Sequence, residues 1–205
     1  MTLPSNLQNA DWQKGDGLIP AIVQDAITAK VLMLGYMNEE ALLATLKTEL
    51  VSFYSRSRKQ LWQKGETSGN ILKLQSIELD CDNDSFLVLA EPVGSICHLG
   101  SVSCFANTQL FGAAWLAQLE QIIAARADAD PNSSYTAKLL QGSIERAAQK
   151  VGEEGVEVAL AAVGNDLNNL TEEAADLLYH LLIVLRAKGL DIADVISILQ
   201  SRHKG

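Results

Sequence analysis

The sequence predicts an α+β domain over about residues 1–108, followed by an all-α domain over about 109–205. Short apolar runs separated by turn residues fill the first half, as expected for strands. These signals stop near Leu110, after which long stretches show helical spacing. With 205 residues, the chain is also long enough for two small domains.

Within the first half, one helix is expected among the strands. Asn38 is a suitable N-cap for it, and Glu39 and Glu40 favour its first turn because the helix dipole is positive there. The strands are expected at Leu18–Val23, Val31–Leu34, Val51–Tyr54, Ile71–Leu79 and Phe86–Ala90.

The second half is expected to consist of helices joined by short turns. A turn over residues 129–134 follows a helical stretch over 110–127, and Ile144–Val163 forms the next long helix. Thr171 is expected to cap a helix over residues 172–188, and Asp191 to cap the last helix, over 192–203.

Composition limits the classes of function. The net charge of −9 argues against general affinity for nucleic-acid backbones, which needs a basic surface. Three cysteines are too few for a disulfide scaffold and favour a reducing compartment. No run reaches the roughly 18 apolar residues of a membrane span, and residues 1–14 lack the apolar part of a signal peptide. We therefore expect a cytoplasmic protein that binds neither nucleic acid nor membrane.

A ladder of three aspartates, Asp80, Asp82 and Asp84, lies at the end of an expected strand. If the strand continued, alternate residues would share a face and Cys81 would point to the other. Carboxylate oxygens suit Mg²⁺ or Ca²⁺. The alternatives are a polar turn and an EF-hand loop, although Ser85 stands where an EF-hand has glycine.

All three cysteines fall within 24 residues: Cys81, Cys97 and Cys104. Three thiolate ligands would leave a catalytic zinc one position for water, and His98 could move protons beside it. The alternatives are that the thiols are small buried apolar groups, or that His98 is a fourth ligand of a structural zinc.

A basic segment precedes this cluster and is a candidate for binding phosphate, since guanidinium groups, hydroxyls and glycine-rich turns hold phosphate oxygens. The alternative is a solvated hairpin. The candidate residues are Arg56, Ser57, Arg58, Trp62, Lys64, Ser68 and Gly69.

Two carboxylate pairs mark the second half. Glu154 and Glu157 share one helix face, as do Glu173 and Asp176 on the next helix. Antiparallel helices could join the four acids into a site for Mg²⁺ and a polyphosphate; two solvated acidic faces are the alternative.

Three further features accompany these acids. Gly152 and Gly155 are costly inside a helix and predict close backbone approach. Lys150 and His180 lie within a turn of the acids and could contact substrate.

Specific motifs then indicate a family. The first half resembles phosphoribosyl-AMP cyclohydrolase, and the second resembles phosphoribosyl-ATP pyrophosphohydrolase. Together they are similar to the bifunctional enzymes of histidine biosynthesis. The acid pairs alone are shared by the wider MazG-like, all-α pyrophosphohydrolases. The motifs are residues 31–38, 53–58, 62–70, 80–84 and 97–105 in the first half, and 134–139, 149–157 and 173–181 in the second.

This resemblance implies two reactions. The helical domain would hydrolyse phosphoribosyl-ATP to phosphoribosyl-AMP and pyrophosphate, with the four acids holding Mg²⁺ and Glu153 a candidate base. The α+β domain would open the adenine ring between N1 and C6 with zinc-activated water. By the same resemblance, Cys81, Cys97 and Cys104 ligate zinc, and the three aspartates ligate Mg²⁺.

The resemblance also implies a homodimer, since the family's zinc ligands come from two subunits. We expect His98 to act as base or proton shuttle, and Arg56, Arg58 and Lys64 to hold substrate phosphates. Two alternatives remain: a MazG-like nucleotide pyrophosphohydrolase with a structural zinc module, and a metal-dependent dimerisation module.

Overall fold

The computed structural model describes residues 3–203 and divides the chain into two compact units between Ala114 and Trp115. A β-rich unit is followed by a helical unit, which confirms the order of the two structural classes expected from the sequence. Within the described residues, no helix is long and apolar enough to cross a membrane.

The first unit contains six strands and one long helix. A four-stranded sheet has the order β2-β1-β6-β5, in which β1 and β6 are parallel and the other neighbours antiparallel; β3 and β4 form a separate hairpin. The elements are β1 (Ile19–Asp25), β2 (Val31–Met37), α1 (Glu39–Thr48), β3 (Ser52–Ser55), β4 (Gln60–Gln63), β5 (Leu72–Leu79) and β6 (Phe86–Pro92).

Alternation of side chains fixes which face of the sheet is buried. Ile19, Ala21 and Val23 of β1 are buried, while Ile22 between them is 39% exposed. The core they join also holds Phe53 from β3. Asn38 caps α1 as predicted, since its Oδ1 accepts a hydrogen bond from the Ala41 N–H at 2.8 Å.

The sequence did not predict β4. This strand has only four residues with polar ends, so the apolar signal is weak. Pairing across the hairpin supplies what the local sequence lacks: Trp62 lies opposite Phe53, and their ring centroids are 5.2 Å apart.

Among the described residues of the second unit, five helices surround a core that includes Ile123, Leu139, Leu182 and Ile183. They are α2 (Ala114–Ala125), α3 (Tyr135–Gln141), α4 (Ile144–Val163), α5 (Leu167–Ala187) and α6 (Ile192–Arg202).

Two of the expected helix boundaries in this unit are wrong. Helix α5 begins four residues before Thr171, because Asp166 caps it by accepting from the Asn168 and Asn169 N–H groups; the Thr171 hydroxyl bonds within the helix instead. Helix α2 begins at Ala114 and not near Leu110. The short helix α3, capped by Ser134, was not predicted as a helix. Asp191 caps α6 as expected.

Candidate active sites

One cavity of about 510 Å³ in the first unit collects many of the predicted residues. Its walls come from three parts of the chain: Met33 on β2, the segment from Trp62 to Asn70, and the segment from Ser95 to Cys104. The predicted site residues that line it are Trp62, Lys64, Ser68, Cys97, His98 and Cys104.

Two of the three cysteines, Cys97 and Cys104, lie side by side in the lining of this cavity. Main-chain bonds fix them: the Cys97 N–H donates to Ser101 at 2.9 Å, and the Cys104 N–H donates to Leu32 at 2.8 Å. A hydrogen bond from the Leu99 N–H, with a smaller one from Ser101, lowers the pKa of Cys97. Desolvation of its thiol, then the neighbouring Cys97, raises the pKa of Cys104. Two adjacent thiols, one of them with a lowered pKa, are a donor set that suits zinc.

His98 lies on the exposed rim of this cavity. Its Nδ1 is 4.0 Å from the Cys97 Sγ, and the side chain is accessible to solvent. The position suits a group that exchanges protons with substrate or water.

The other residues predicted for this site do not line the cavity. Cys81 is exposed in the turn between β5 and β6, and no grouping with Cys97 and Cys104 occurs within residues 3–203. Ser57, Arg58 and Gly69 are also exposed and outside the cavity. The guanidinium of Arg56 lies 3.8 Å from the centre of the Tyr36 ring, in a cation–π contact.

The aspartate ladder lies in a turn, so the prediction from strand alternation was wrong. Strand β5 ends at Leu79, and Asn83 has a left-handed backbone with φ of 62°. Asp80 holds the turn by accepting from the Asp84 and Ser85 N–H groups at 3.0 and 3.1 Å. The turn nevertheless brings the three carboxylates together, with one oxygen from each within 4.8 Å of the others.

Lys14 already places a positive charge among these aspartates. Its Nζ lies 2.6 Å from Asp82 and 2.5 Å from Asp84. The hydrogen bond from Lys14 lowers the pKa of Asp82, and both carboxylates raise the pKa of Lys14. The turn therefore attracts cations, as hard oxygen ligands for Mg²⁺ should.

In the second unit, α4 and α5 bring three of the four predicted acids together. Oxygens of Glu154, Glu157 and Glu173 lie within 4.8 Å of one another. Glu154 is buried at 4% exposure, and the other two are more open. The carboxylate of Asp176 is not in this group, and its side chain is exposed.

The pKa values of two carboxylates in this group shift in opposite directions. A hydrogen bond from Lys150, at 2.7 Å, lowers the pKa of Glu154, whereas the adjacent Glu154 raises the pKa of Glu157. Crowded carboxylates repel one another unless a cation is present, so the donor set fits Mg²⁺. A cavity of about 330 Å³ opens beside Glu157 and Glu173.

Lys150 contacts both Glu154 and the neighbouring Glu153 on the same helix. The Lys150 Nζ lies 2.9 Å from Glu153, and Gln149 donates to Glu153 at 2.8 Å. Lys150 also lowers the pKa of Glu153, which makes this carboxylate a weaker base. Lys150 thus binds two carboxylates of its own helix, and its contact with substrate, expected from the sequence, stays a prediction.

His180 is buried at 5% exposure and is held from three sides. Its Nδ1 lies 2.9 Å from the Asp176 carbonyl oxygen, which can only accept, so this nitrogen carries a proton. The Tyr135 hydroxyl lies 3.1 Å from Nε2, and Glu154 lies 3.7 Å from Nδ1. His180 therefore lies beside Glu154 without a hydrogen bond to it, and Tyr135 is a neighbour that helical spacing alone could not reveal.

The glycines of α4 do not have the predicted explanation. A Cβ added at Gly152 or Gly155 would meet no atom within 4 Å among the residues that the structure describes. Close backbone approach is therefore not the reason for either glycine, and nothing in the structure explains them.

Two sites, one with thiols in a cavity and one with converged carboxylates, define a hydrolase with a separate reaction centre in each unit. Residues 33–106 match the family model of phosphoribosyl-AMP cyclohydrolase, and residues 116–203 match that of phosphoribosyl-ATP pyrophosphohydrolase. The chain belongs to the family that joins these two domains in one bifunctional hydrolase of histidine biosynthesis.

The chain is similar over nearly its whole length to curated proteins named as bifunctional. The chain is 56% identical to the histidine biosynthesis bifunctional protein HisIE of Escherichia coli K12, over 95% of each chain. It is also 56% identical to the HisIE protein of Vibrio cholerae, over 95% of this chain and 93% of the relative. The HisIE protein of Yersinia pestis is 52% identical over the full length of both.

Proposed function

We propose that the protein catalyses two successive steps of histidine biosynthesis. A MazG-like domain, over about residues 109–205, hydrolyses phosphoribosyl-ATP to phosphoribosyl-AMP and pyrophosphate. The domain over about residues 1–108 then opens the adenine ring of phosphoribosyl-AMP between N1 and C6. The observation that carries this proposal is the pair of separate donor sets, soft thiols in one unit and hard carboxylates in the other. Cytoplasmic location follows from the biosynthetic role.

For ring opening, Cys97 and Cys104 would hold zinc from one wall of the cavity. Zinc bound there would act as a Lewis acid that makes water nucleophilic near neutral pH. Lys64 is half-buried in the same wall and binds phosphate or ribose oxygens. His98, on the rim, accepts a proton as water attacks C6 and returns it to N1 as the ring opens.

Cys81 supports a site shared by two copies of the chain. Its thiol lies outside the cavity of its own subunit. In a homodimer, the Cys81 turn of one subunit would complete the thiol set of the other. Four other predicted residues also lie outside the cavity: Arg56, Ser57, Arg58 and Gly69. They would contact substrate only at the outer edge of the cavity or across this subunit interface.

For pyrophosphate release, Glu154, Glu157 and Glu173 would hold Mg²⁺, with the exposed Asp176 as the fourth acid. Magnesium bound there would neutralise charge on the polyphosphate. Lys150 keeps Glu154 ionised, and His180 lies beside it. Glu153 is the less suitable base, because Lys150 and Gln149 already engage its carboxylate.

Purified protein supplied with phosphoribosyl-ATP, Mg²⁺ and Zn²⁺ should form pyrophosphate first and the ring-opened imidazole carboxamide second. Phosphoribosyl-AMP should rise and then fall in a time course followed by chromatography. A protein that releases pyrophosphate but never opens the ring would leave only the MazG-like pyrophosphohydrolase. If a metal-loaded, folded protein did neither, a metal-dependent dimerisation module would be the better reading.

Replacing Lys14 with methionine should strengthen Mg²⁺ binding at the aspartate turn. The Lys14 ammonium contacts Asp82 and Asp84, so a metal ion must displace it. Exposed ion pairs are weak, and the dissociation constant should fall by about two- to fivefold. Titration with Mn²⁺, followed by electron paramagnetic resonance, measures this. Lys30→Met, which removes a lysine outside the turn, is the control, and unchanged or weaker binding in Lys14→Met would contradict the prediction.

A further inference from the structure

Asn70 lines the cavity that holds Cys97, His98 and Cys104. Among the described residues that line this cavity, Asn70 is the one with a side-chain amide, which offers a hydrogen-bond donor and an acceptor side by side. The proposed binding of zinc and of substrate phosphate does not involve this amide.

The main chain of Asn70 is fixed by its neighbours. The Lys64 Nζ donates to its carbonyl oxygen at 3.4 Å, and its own N–H donates to the Ser68 Oγ at 3.3 Å. The Val93 N–H donates to the Ile71 carbonyl at 2.9 Å, which ties this segment to the end of β6. These hydrogen bonds involve main-chain atoms of residues 70 and 71, so the side-chain amide of Asn70 is available to bind a ligand in the cavity.

Two glycines make room for Asn70. Gly65 has φ of +85°, and a Cβ there would collide with the Asn70 carbonyl group. Gly94 has φ of +78°, and a Cβ there would collide with the Asn70 Oδ1. Both backbone conformations favour glycine, so Gly65 makes room for the main chain of Asn70 and Gly94 makes room for its side chain.

The chemistry of the substrate leaves one edge of the adenine free. In phosphoribosyl-AMP, N1 and N9 both carry ribose, so the amino-side edge with N6 and N7 is the one still open to hydrogen bonds. Asparagine recognises this edge of adenine with two hydrogen bonds, accepting from N6 and donating to N7. N6 is bonded to C6, the carbon that water attacks, and N7 is bonded to C5, the ring atom next to C6.

We propose that Asn70 is the base-recognition residue of the ring-opening site. Its amide binds N6 and N7 of the adenine and orients C6 toward the thiols of Cys97 and Cys104. The inference rests on the proposed ring-opening function and adds to it the group that selects a 6-amino purine. Asn70 is a specificity residue, because it positions the base and takes no proton from it.

The test compares adenosine 5′-monophosphate with its 7-deaza analogue, in which N7 is replaced by CH and cannot accept. Neither compound is a substrate, so calorimetry on the full metal-loaded chain measures binding without turnover. Wild type should bind the 7-deaza analogue about tenfold more weakly. Asn70→Ala should bind the parent nucleotide about tenfold more weakly than wild type does, and should no longer distinguish the two ligands.

Asn70→Asp provides a second variant that keeps the side-chain size and loses the amide donor, so it too should lose the preference for N7. Zinc content per chain, which depends on the cavity that Asn70 lines, should equal the wild-type value in each variant and reports that the first unit is folded. The proposal is overturned if Asn70→Ala retains the full preference for N7, or if wild type shows none. Failure of the ring-opening function is a separate result: wild type would then form no imidazole carboxamide, whatever the two dissociation constants.

Discussion

Cys97→Ala is expected to stop ring opening and leave pyrophosphate release intact, so that phosphoribosyl-AMP accumulates from phosphoribosyl-ATP. Cys97 is the buried thiol of the cavity and the one whose pKa is lowered, so it is the thiol best prepared to bind zinc. Loss of an outer-shell partner already costs a metal site about 10- to 100-fold, and loss of a ligand should cost more. Chromatography of the nucleotides, together with zinc content per chain, measures both effects.

His98→Ala is the matched control, because it alters the neighbouring rim residue without removing a thiol. It should slow ring opening while zinc content stays at the wild-type value. Equal loss of zinc in both variants would show that His98 is a fourth ligand, and the site would then be structural. Retention of zinc and full ring opening in Cys97→Ala would contradict the assignment of Cys97.

Mixing two variant chains tests the proposed homodimer in the same assay. Cys81→Ala and Cys97→Ala should each be inactive in ring opening when alone. Co-refolded together, they form mixed dimers in which one of the two sites has all three cysteines. Random pairing should restore about a quarter of the wild-type activity. No recovery would mean that Cys81 serves its own subunit or none.

The sequence predicted the long elements well because their signals are local. Helix α4 spans Ile144–Val163, as its apolar spacing indicated, and β5 ends at Leu79 as expected. Strand β4 was missed because its stability comes from pairing with β3 and from the contact of Trp62 with Phe53. The start of α5 was missed because Asp166 and Thr171 are both acceptable caps, and only the packed helix decides between them.

At the candidate sites, the sequence could not predict contacts between residues far apart in the chain. Lys14 meets Asp82 across 68 positions of the chain, and no local pattern predicts such a pair. The Tyr135–His180 contact spans 45 positions and joins α3 to α5. The aspartates converge because Asn83 adopts a left-handed backbone in the turn. The prediction from strand alternation assumed an extended backbone throughout. Residue type indicated which groups could bind metal, while the geometry of the group depended on the fold.

Glu154→Gln is expected to abolish pyrophosphate release and to leave ring opening of supplied phosphoribosyl-AMP unchanged. The substitution keeps the size of the side chain but removes the charge of the one buried carboxylate of the group. Lys150 then loses the charge of its closest partner, at 2.7 Å, and the proposed Mg²⁺ site would lose an ionised ligand. Electrostatic groups of this kind contribute about a hundredfold or more to catalysis, so the rate should fall at least that far.

Two neighbouring variants show whether position or charge matters. Glu172→Gln removes an exposed acid next to Glu173 that lies outside the converged group, and it should retain nearly full activity. Glu153→Gln removes the carboxylate that Lys150 and Gln149 hold, and a moderate loss is expected because Lys150 still holds Glu154. A loss in Glu153→Gln as large as in Glu154→Gln, with Mg²⁺ affinity unchanged, would instead identify Glu153 as the base. Loss of both reactions in any of these folded variants would contradict one reaction centre in each unit.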